Sequence, residues 1–107
     1  MSSPKLPVNL SPEAWDDLED IALYSELSWS ELSWGEEQRD RYLTALDQAL
    51  LRLSEFPQLG RSRGELHPNY RSLQIEQHIV IYEVLSSEVY VVRILHRSRD
   101  LRRALRE

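Results

Sequence analysis

The sequence predicts one α+β domain, with a helical hairpin packed on one face of an antiparallel sheet and a short C-terminal helix. Residues 11–55 carry apolar side chains at spacings of three and four, the period of amphipathic helices. Residues 70–96 instead contain segments rich in β-branched residues and tyrosine, which favour strands. The chain has 107 residues, a length typical of one domain with its own core. The predicted order is therefore strand, helix, helix and a three-stranded meander.

Composition restricts the class of protein. The chain contains no cysteine, which rules out disulfides, a cysteine nucleophile and cysteine-ligated zinc. Its apolar runs are only a few residues long, far shorter than a membrane span, and its first residues lack the apolar segment of a signal peptide. We expect a cytoplasmic protein with no membrane association.

Charge is divided unevenly between the two halves of the chain. The formal net charge is −5, of which residues 1–55 contribute −8 and residues 56–107 contribute +3. All nine basic residues of the second half are arginines, whose planar guanidinium groups suit carboxylates and phosphates. This pattern indicates a protein partner at least as much as a nucleic acid.

The first helix has a clear start. Residues 5–10 form a candidate edge strand, since Pro7 lacks the N–H that a central strand needs. Ser11 is the expected N-cap, and Pro12 suits the first helical position. The predicted buried stripe consists of Trp15, Leu18, Ala22, Ser25, Trp29 and Leu32. The predicted solvated acidic face consists of Asp16, Asp17, Glu19, Asp20 and Glu26.

A tandem duplication follows within this helix. The five residues Ser-Glu-Leu-Ser-Trp at 25–29 are repeated at 30–34. The apolar stripe continues as far as Leu32, which favours a helix lengthened by roughly 7–8 Å. In the alternative, the second copy loops out near Gly35.

The second helix is predicted over 36–55 and should lie antiparallel to the first. Its apolar stripe consists of Tyr42, Leu43, Leu46, Ala49, Leu50 and Leu53. The breakers Pro57 and Gly60 end it. Residues 61–68 read as a polar loop, and strands are predicted over 70–75, 78–85 and 89–96. Residues 97–107, here called the basic tail, contain five arginines and the apolar anchors of a short helix.

Few residues suggest catalysis. The three glycines form no phosphate-binding loop, and His67, His78 and His96 are too scattered in sequence to indicate a metal site, so no metal or cofactor is expected. Arg93, within an apolar strand, either has an acidic partner, such as Asp100 or an acid of the helices, or lies at a rim where something binds. In an alternative interpretation Arg71 and Arg93 hold phosphate and His96 transfers a proton.

Four segments carry a family resemblance. The chain resembles the ParE branch of the RelE/ParE toxins of bacterial type II toxin–antitoxin systems. The matching pieces are Leu10-Ser11-Pro12-Glu13-Ala14 with Asp17-Leu18 and Ile21-Ala22; Phe56-Pro57 with Gly60-Arg61; Tyr70-Arg71 before His78-Ile79-Val80-Ile81-Tyr82; and Val92-Arg93-Ile94-Leu95-His96 with Arg99-Asp100.

The resemblance implies a single RelE/ParE-like domain over residues 1–107 with a β-α-α-β-β-β core. It also implies a toxin that inhibits DNA gyrase by protein contact, without direct specific nucleic-acid binding, and that a cognate antitoxin neutralises in a higher-order complex. The expected antitoxin-binding residues are Trp15, Leu18, Ala22, Leu46, Leu50, Ile79 and Ile81. The expected target-binding residues are Arg61, Arg97, Arg99, Arg102 and Arg103.

Two alternatives stay open within this resemblance. RelE-like members cut mRNA in the ribosome and rely on a basic cluster of lysines and arginines on the sheet. Here the sheet has no lysine, and Ile79 stands where RelE-like chains tend to have arginine. Arg71, Arg93 and His96 keep the ribonuclease alternative open, and a decayed toxin that only binds its antitoxin is the third hypothesis. The duplication at the hairpin tip departs from the ParE pattern.

Overall fold

The computed structural model describes residues 5–30 and 35–106 and confirms the predicted α+β fold. Over these residues five strands form one sheet in the order β1-β5-β4-β3-β2. The elements in chain order are β1 (Val8–Leu10), α1 (Pro12–Ser30), α2 (Gly35–Glu55), β2 (Arg61–Ser62), β3 (Tyr70–Ile75), β4 (His78–Val84), β5 (Val89–His96) and α3 (Leu101–Ala104).

The sheet is antiparallel except at one edge. β1 pairs in parallel with β5, with Val8 opposite Val89, whereas the three other pairings are antiparallel. The predicted edge position of the first strand is confirmed. Residues 61–62, predicted as loop, instead form the short strand β2 beside β3. Two residues are too few for an alternating apolar pattern, so the sequence carried no signal for this strand.

The hydrophobic core lies between the helical hairpin and one face of the sheet. Leu46 and Leu53 of α2 are fully buried, as are Val80 and Tyr82 of β4. The core positions of α2 and of the sheet belong to the predicted stripe and strands. In α1, however, the buried residues are Ala14 and Ile21 rather than the predicted Trp15, which is 54% exposed, so the buried stripe is rotated from the predicted one. The buried members of this core are Ala14, Ile21, Leu46, Leu53, Val80, Tyr82, Val89, Val91 and Ile94.

Ser11 joins the start of α1 to the sheet. Its hydroxyl oxygen accepts the N–H of Ala14 at 3.0 Å, as the predicted N-cap requires, and its O–H donates to the carbonyl of Val92 at 2.7 Å. The Ser11 N–H also donates to the carbonyl of Val91 at 2.9 Å. The outer edge of β5 beyond β1 is therefore covered by the first turn of the helix.

The duplication is described only in part. The first copy, residues 25–29, is helical within α1, which ends at Ser30, and α2 begins at Gly35. Residues 31–34 of the second copy, together with the predicted stripe position Leu32, lie outside the described residues.

A β-bulge alters the register between β4 and β5. Ile81 lies opposite Arg93 and Tyr82 opposite Val91, so Val92 is the extra residue of β5. Beyond the bulge, Ile94 continues the core-facing row opposite Val80. Because of the bulge, Arg93 lies opposite Ile81 while the next residue, Ile94, faces the core.

Candidate functional site

Arg93 is bound internally by an aspartate of the first helix. Its Nε and Nη2 donate to the two carboxylate oxygens of Asp17 at 2.7 and 2.9 Å, a bidentate pair. Asp17 also accepts the N–H of Ile94 at 2.9 Å, and Arg93 Nη1 donates to the carbonyl of Ala104 at 3.3 Å. The side chains of Arg93 and Asp17 are only 17% and 11% exposed. This ion pair joins α1, β5 and α3.

The partner of Arg93 corrects two expectations. The sequence pattern places Asp17 on the solvated face of the helix, but its side chain is largely buried against β5. Asp100 is not the partner of Arg93; its side chain accepts the N–H of Arg103 and caps α3. The alternative prediction, that an acid of the helices pairs with Arg93, is confirmed, and the acid is Asp17.

Arg71 is also bound internally, at the turn after α2. Its Nε donates to the carbonyl of Gly60 at 2.9 Å and its Nη2 donates to that of Gln58 at 3.2 Å. The neighbouring Tyr82 hydroxyl donates to Pro57 and accepts the N–H of Gly60, both at 2.8 Å. Burial raises the pKa of Tyr82, so the hydroxyl keeps the proton that it donates. Arg71 and Tyr82 together hold the turn against the sheet.

His96 contacts a second histidine at the far end of the sheet. His78 and His96 are register partners on β4 and β5, and their ring centroids lie 5.3 Å apart, edge to face. Tyr42 of α2 shares a short hydrogen bond with His78 Nδ1, and His96 Nδ1 lies 2.8 Å from the Ser98 hydroxyl. Burial, reinforced by His96, lowers the pKa of His78, whereas burial raises that of Tyr42. The sequence spacing gave no indication of this pair.

The residues of the ribonuclease alternative are not brought together. Arg71 lies opposite Tyr82, which lies opposite Val91, and His96 lies five residues further along β5. At about 3.3 Å per residue this separates Arg71 from His96 by about 17 Å along the strands. Since Arg71 and Arg93 are each held by internal acceptors, the arrangement favours a structural role for both arginines.

The expected antitoxin-binding residues divide into two sets. Trp15 is 54% exposed, and Leu18, Ala22 and Leu50 are half-buried on the hairpin. The other three, Leu46, Ile79 and Ile81, are buried within this chain, and β4 is an inner strand rather than an edge strand. These three side chains are therefore not accessible from outside. Five other apolar side chains are exposed, although the sequence did not indicate them as binding residues. They are Leu23, Leu51, Phe56, Leu59 and Leu85.

The expected target-binding arginines are all exposed, but they do not form one group. Arg97 and Arg99 lie between β5 and α3, and Arg102 and Arg103 lie within α3. Arg61 lies on β2, at the edge of the sheet opposite β1. Because β2 is separated from β5 by β3 and β4, about 14 Å of sheet lies between the two strands.

Two further classes of site have no support in the described part of the chain. Over residues 5–30 and 35–106, no group of three or more histidine, aspartate or glutamate side chains converges on a common point. None of the helices within those ranges is long and apolar enough to cross a membrane.

Comparison with known proteins identifies the family. Residues 8–101 match the sequence profile described as "ParE toxin of type II toxin-antitoxin system, parDE". Toxin ParE1 of Mycobacterium tuberculosis is 35% identical over 99 residues, covering 90% of this chain and 94% of that protein. Toxin ParE1 of Caulobacter vibrioides is 34% identical over 96 residues with the same coverage. A solved structure, "Chromosomal ParDE TA system from P. aeruginosa", shares the fold with a TM-score of 0.68 at 20% identity, covering 88% of this chain and 98% of that one. The chain therefore belongs to the ParE toxin family of type II toxin–antitoxin systems.

Proposed function

We propose that this ParE-family toxin acts in the cytoplasm by inhibiting DNA gyrase through protein contact and so arrests growth, and that a cognate antitoxin neutralises it. Membership of the ParE family carries the proposal. It is supported by the internal hydrogen bonds of Arg71 and Arg93, which occupy most of the donor groups that would hold a phosphate. Over the residues that the structure describes, Arg71 and His96 also lie far apart, which favours action through contact with a target surface.

The basic tail is the surface that we assign to the target. Arg97, Arg102 and Arg103 are exposed, and the one described acid among them, Asp100, caps the backbone of α3. Arginines of this kind bind carboxylates in pairs of hydrogen bonds, and a positive patch steers the approach of an acidic partner. We therefore expect the tail to contact an acidic surface of gyrase.

The helical hairpin is the surface that we assign to the antitoxin. Trp15, Leu18, Ala22 and Leu50 lie on its helices and are accessible at least in part. An apolar groove between two helices suits the apolar face of a third helix. Leu46 lies in the core beneath this surface, whereas Ile79 and Ile81 alternate on β4 with the core residues Val80 and Tyr82 and so point away from the hairpin. We expect the bound state to be a higher-order toxin–antitoxin complex.

A supercoiling assay tests the proposal. Purified chain freed of antitoxin should block supercoiling of relaxed plasmid by gyrase, and addition of the antitoxin should restore it. Arg102→Gln combined with Arg103→Gln should weaken inhibition at least about tenfold, as expected when at least one charged contact of about 1.5 kcal/mol is lost. Arg52→Gln, at an exposed position of α2, is the matched control and should inhibit like the original chain.

Three results would contradict the proposal. Undiminished supercoiling at a large molar excess of folded toxin would remove gyrase as the target. New mRNA cleavage near the ribosomal A site after induction, mapped by primer extension, would favour the endoribonuclease alternative instead. Growth without arrest after induction would indicate a decayed toxin that only binds its antitoxin.

A further inference from the structure

The face of the sheet turned away from the hairpin lies outside the surfaces assigned above. Tyr82 of β4 lies in the core beneath the hairpin and Val84 packs against it, so Glu83 between them points to the opposite face. The register partners of Glu83 are Tyr70 on β3 and Tyr90 on β5. Because directly opposite side chains of neighbouring strands share a face, Glu83 stands between two tyrosines on the outer face of the sheet.

The polar ends of these three side chains have no partner in the part of the chain that the structure describes. Over residues 5–30 and 35–106, neither tyrosine hydroxyl nor the carboxylate of Glu83 makes a hydrogen bond or an ion pair. The three groups lie within electrostatic reach of one another, since burial, the charge of Glu83 and the neighbouring Tyr90 together raise the pKa of Tyr70. All three residues are half-buried. Partly desolvated oxygens without a partner favour a ligand that supplies hydrogen-bond donors.

The arginine beside this row is already bound elsewhere. The backbone N–H of Arg63 donates to the carbonyl of Tyr70 at 2.8 Å, which places Arg63 next to Tyr70. Its Nε donates to the hydroxyl of Ser72 at 2.8 Å, and its Nη1 forms an ion pair with Glu65 at 3.1 Å. Arg63 therefore does not neutralise Glu83, whose charge is open to a cation from another molecule.

The spacing of the row suits one planar cation. Neighbouring strands lie about 4.8 Å apart, so Tyr70 and Tyr90, which are two strands apart, are separated by about 10 Å. A cation held above Glu83 lies about 5 Å from each tyrosine, within the ~6 Å over which an aromatic ring attracts a positive charge. His67 stacks on one face of Tyr70, with ring centroids 4.5 Å apart, which leaves the other face of that ring for a ligand. The carboxylate repels a phosphate backbone, which argues against stacked nucleic-acid bases.

We propose that Tyr70, Glu83 and Tyr90 form a docking site for an arginine side chain of a protein partner. The guanidinium group would donate a pair of hydrogen bonds to the carboxylate of Glu83 and lie between the two rings. Arginine suits the site better than lysine, because its planar group stacks on aromatic rings while it donates, whereas an ammonium group is compact and strongly hydrated. The site and the hairpin lie on opposite faces of the sheet, so both can be occupied at once.

Titration of the full-length chain with the peptide acetyl-Gly-Arg-Gly-amide tests this inference, with ¹³C-labelled tyrosine rings observed by NMR. The ring signals of Tyr70 and Tyr90 should shift and reach saturation. Those of Tyr42 and Tyr82, whose hydroxyls are bonded inside the fold, should not move. The matched ligand control is the same peptide with citrulline, which is neutral, in place of arginine, and it should give no saturable shift.

Substitutions separate the carboxylate from the rings. Glu83→Gln should weaken binding of the arginine peptide about fivefold or more, because it removes the charge from a paired hydrogen-bonded contact. Tyr90→Leu should weaken it about two- to fivefold, the share of one exposed cation–π contact. Tyr90→Phe keeps the ring and should lose less than Tyr90→Leu. Glu13→Gln, at an exposed position at the start of α1, is the matched control and should bind like the original chain.

Folding is checked separately from binding. Glu83→Gln and Tyr90→Phe should keep the circular dichroism spectrum and the unfolding temperature of the original chain, since neither polar end has a partner among the described residues. Equal binding of the citrulline peptide, unchanged affinity in folded Glu83→Gln, or an equal loss in Glu13→Gln would overturn the site. Tighter binding of the corresponding lysine peptide, or an oligouridylate that shifts the same two rings, would overturn the assignment to an arginine.

Discussion

The arginines of the strands and the arginines of the basic tail have the same side chain in opposite environments. Arg71 and Arg93 are partly buried, and both donate to fixed acceptors. Arg71 donates to two backbone carbonyls of the turn after α2. Arg93 donates to the carboxylate of Asp17 and to the carbonyl of Ala104. Arg97, Arg102 and Arg103 are exposed on a tail with little acidic charge. An arginine with hydrogen-bond acceptors fixed beside it stabilises the fold, whereas an arginine without such acceptors remains available to a partner. The surroundings, rather than the residue type, decide between these roles.

Removal of the carboxylate of Asp17 should have the largest effect on stability. Asp17→Ala removes the two carboxylate oxygens that accept from the largely buried Arg93 guanidinium, and the acceptor of the Ile94 N–H. Loss of one partner of a buried ion pair costs about 3–5 kcal/mol, and the remaining exposure of the pair places the expected loss near the lower end. Urea unfolding would measure it. Asp16→Ala, at the exposed neighbouring position, is the control and should change stability by less than about 0.5 kcal/mol.

Gly60→Ala should have the next largest effect, by disturbing the acceptors of Arg71. A Cβ at this position would lie 2.6 Å from the carbonyl oxygen of Ser72 and 2.7 Å from the Tyr82 hydroxyl. Since the first of these atoms belongs to the sheet backbone, the turn must shift, at a cost of about 1–3 kcal/mol. Gly64→Ala is the control, because a Cβ there meets no atom within 4 Å. Equal unfolding temperatures for the two variants would show that the turn moves freely.

Tyr82→Phe tests the hydroxyl that lies beside Arg71. The substitution leaves the Gly60 N–H and the Pro57 carbonyl without their shared partner. The expected loss is about 1–2 kcal/mol in the free energy of unfolding. Tyr90→Phe, on a half-buried tyrosine of β5, should be nearly neutral in the same measurement. A neutral Tyr82→Phe would mean that Arg71 alone holds the turn.

Glu76→Gly should stabilise the chain. Glu76 adopts the left-handed conformation at φ 53°, which glycine adopts without steric cost. We expect a gain of about 0.5–1 kcal/mol in thermal unfolding, because the left-handed strain of about 1–2 kcal/mol exceeds the entropic cost of glycine of about 0.5–1 kcal/mol. Gln77→Gly, at the adjacent turn residue without positive φ, should not stabilise. A loss of stability in Glu76→Gly would show that its side chain contributes more than its backbone strain costs.

Charge removal from the tail should have the smallest effect on stability. Arg102→Gln combined with Arg103→Gln should change the free energy of unfolding by less than about 0.5 kcal/mol, because exposed positions without buried contacts are tolerant. The same variant is expected to lose inhibition of gyrase. A large loss of stability would show that these tail arginines stabilise the fold as Arg71 and Arg93 do, and the two groups of arginines would then not differ in role.

The sequence predicted those parts of the molecule that depend on local patterns. Ser11 and Pro12 indicated the start of α1, and the alternating apolar residues indicated β3 to β5. The features that it missed depend on contacts between distant segments. Asp17 looks like any acid on a helix until Arg93, 76 residues later, is placed beside it by the fold. The meeting of His78 and His96 depends on the register of two strands.

The missed surface residues have a similar physical reason. Leu46, Ile79 and Ile81, which the family resemblance suggests as binding residues, are apolar residues of a helix stripe and a strand, the kind of position that a core buries. Leu51 and Phe56, which are exposed, lie off the predicted stripes. In α1 the reverse holds, because Trp15 on the predicted stripe is 54% exposed and Ile21 outside it is buried. Periodicity alone therefore does not separate an accessible apolar side chain from a core one.

The pairing of β1 with β5 sets the order in which this fold can assemble. Val8 and Val89 are neighbours in the sheet although 81 residues separate them, and Ser11 and Asp17 also take their sheet partners from β5. A growing chain emerges from the ribosome in sequence order, so the start of α1 has no strand to dock on until β5 has been made. Assembly of the fold therefore waits for the synthesis of β5, and a chain interrupted before that strand lacks the surface that holds its first helix.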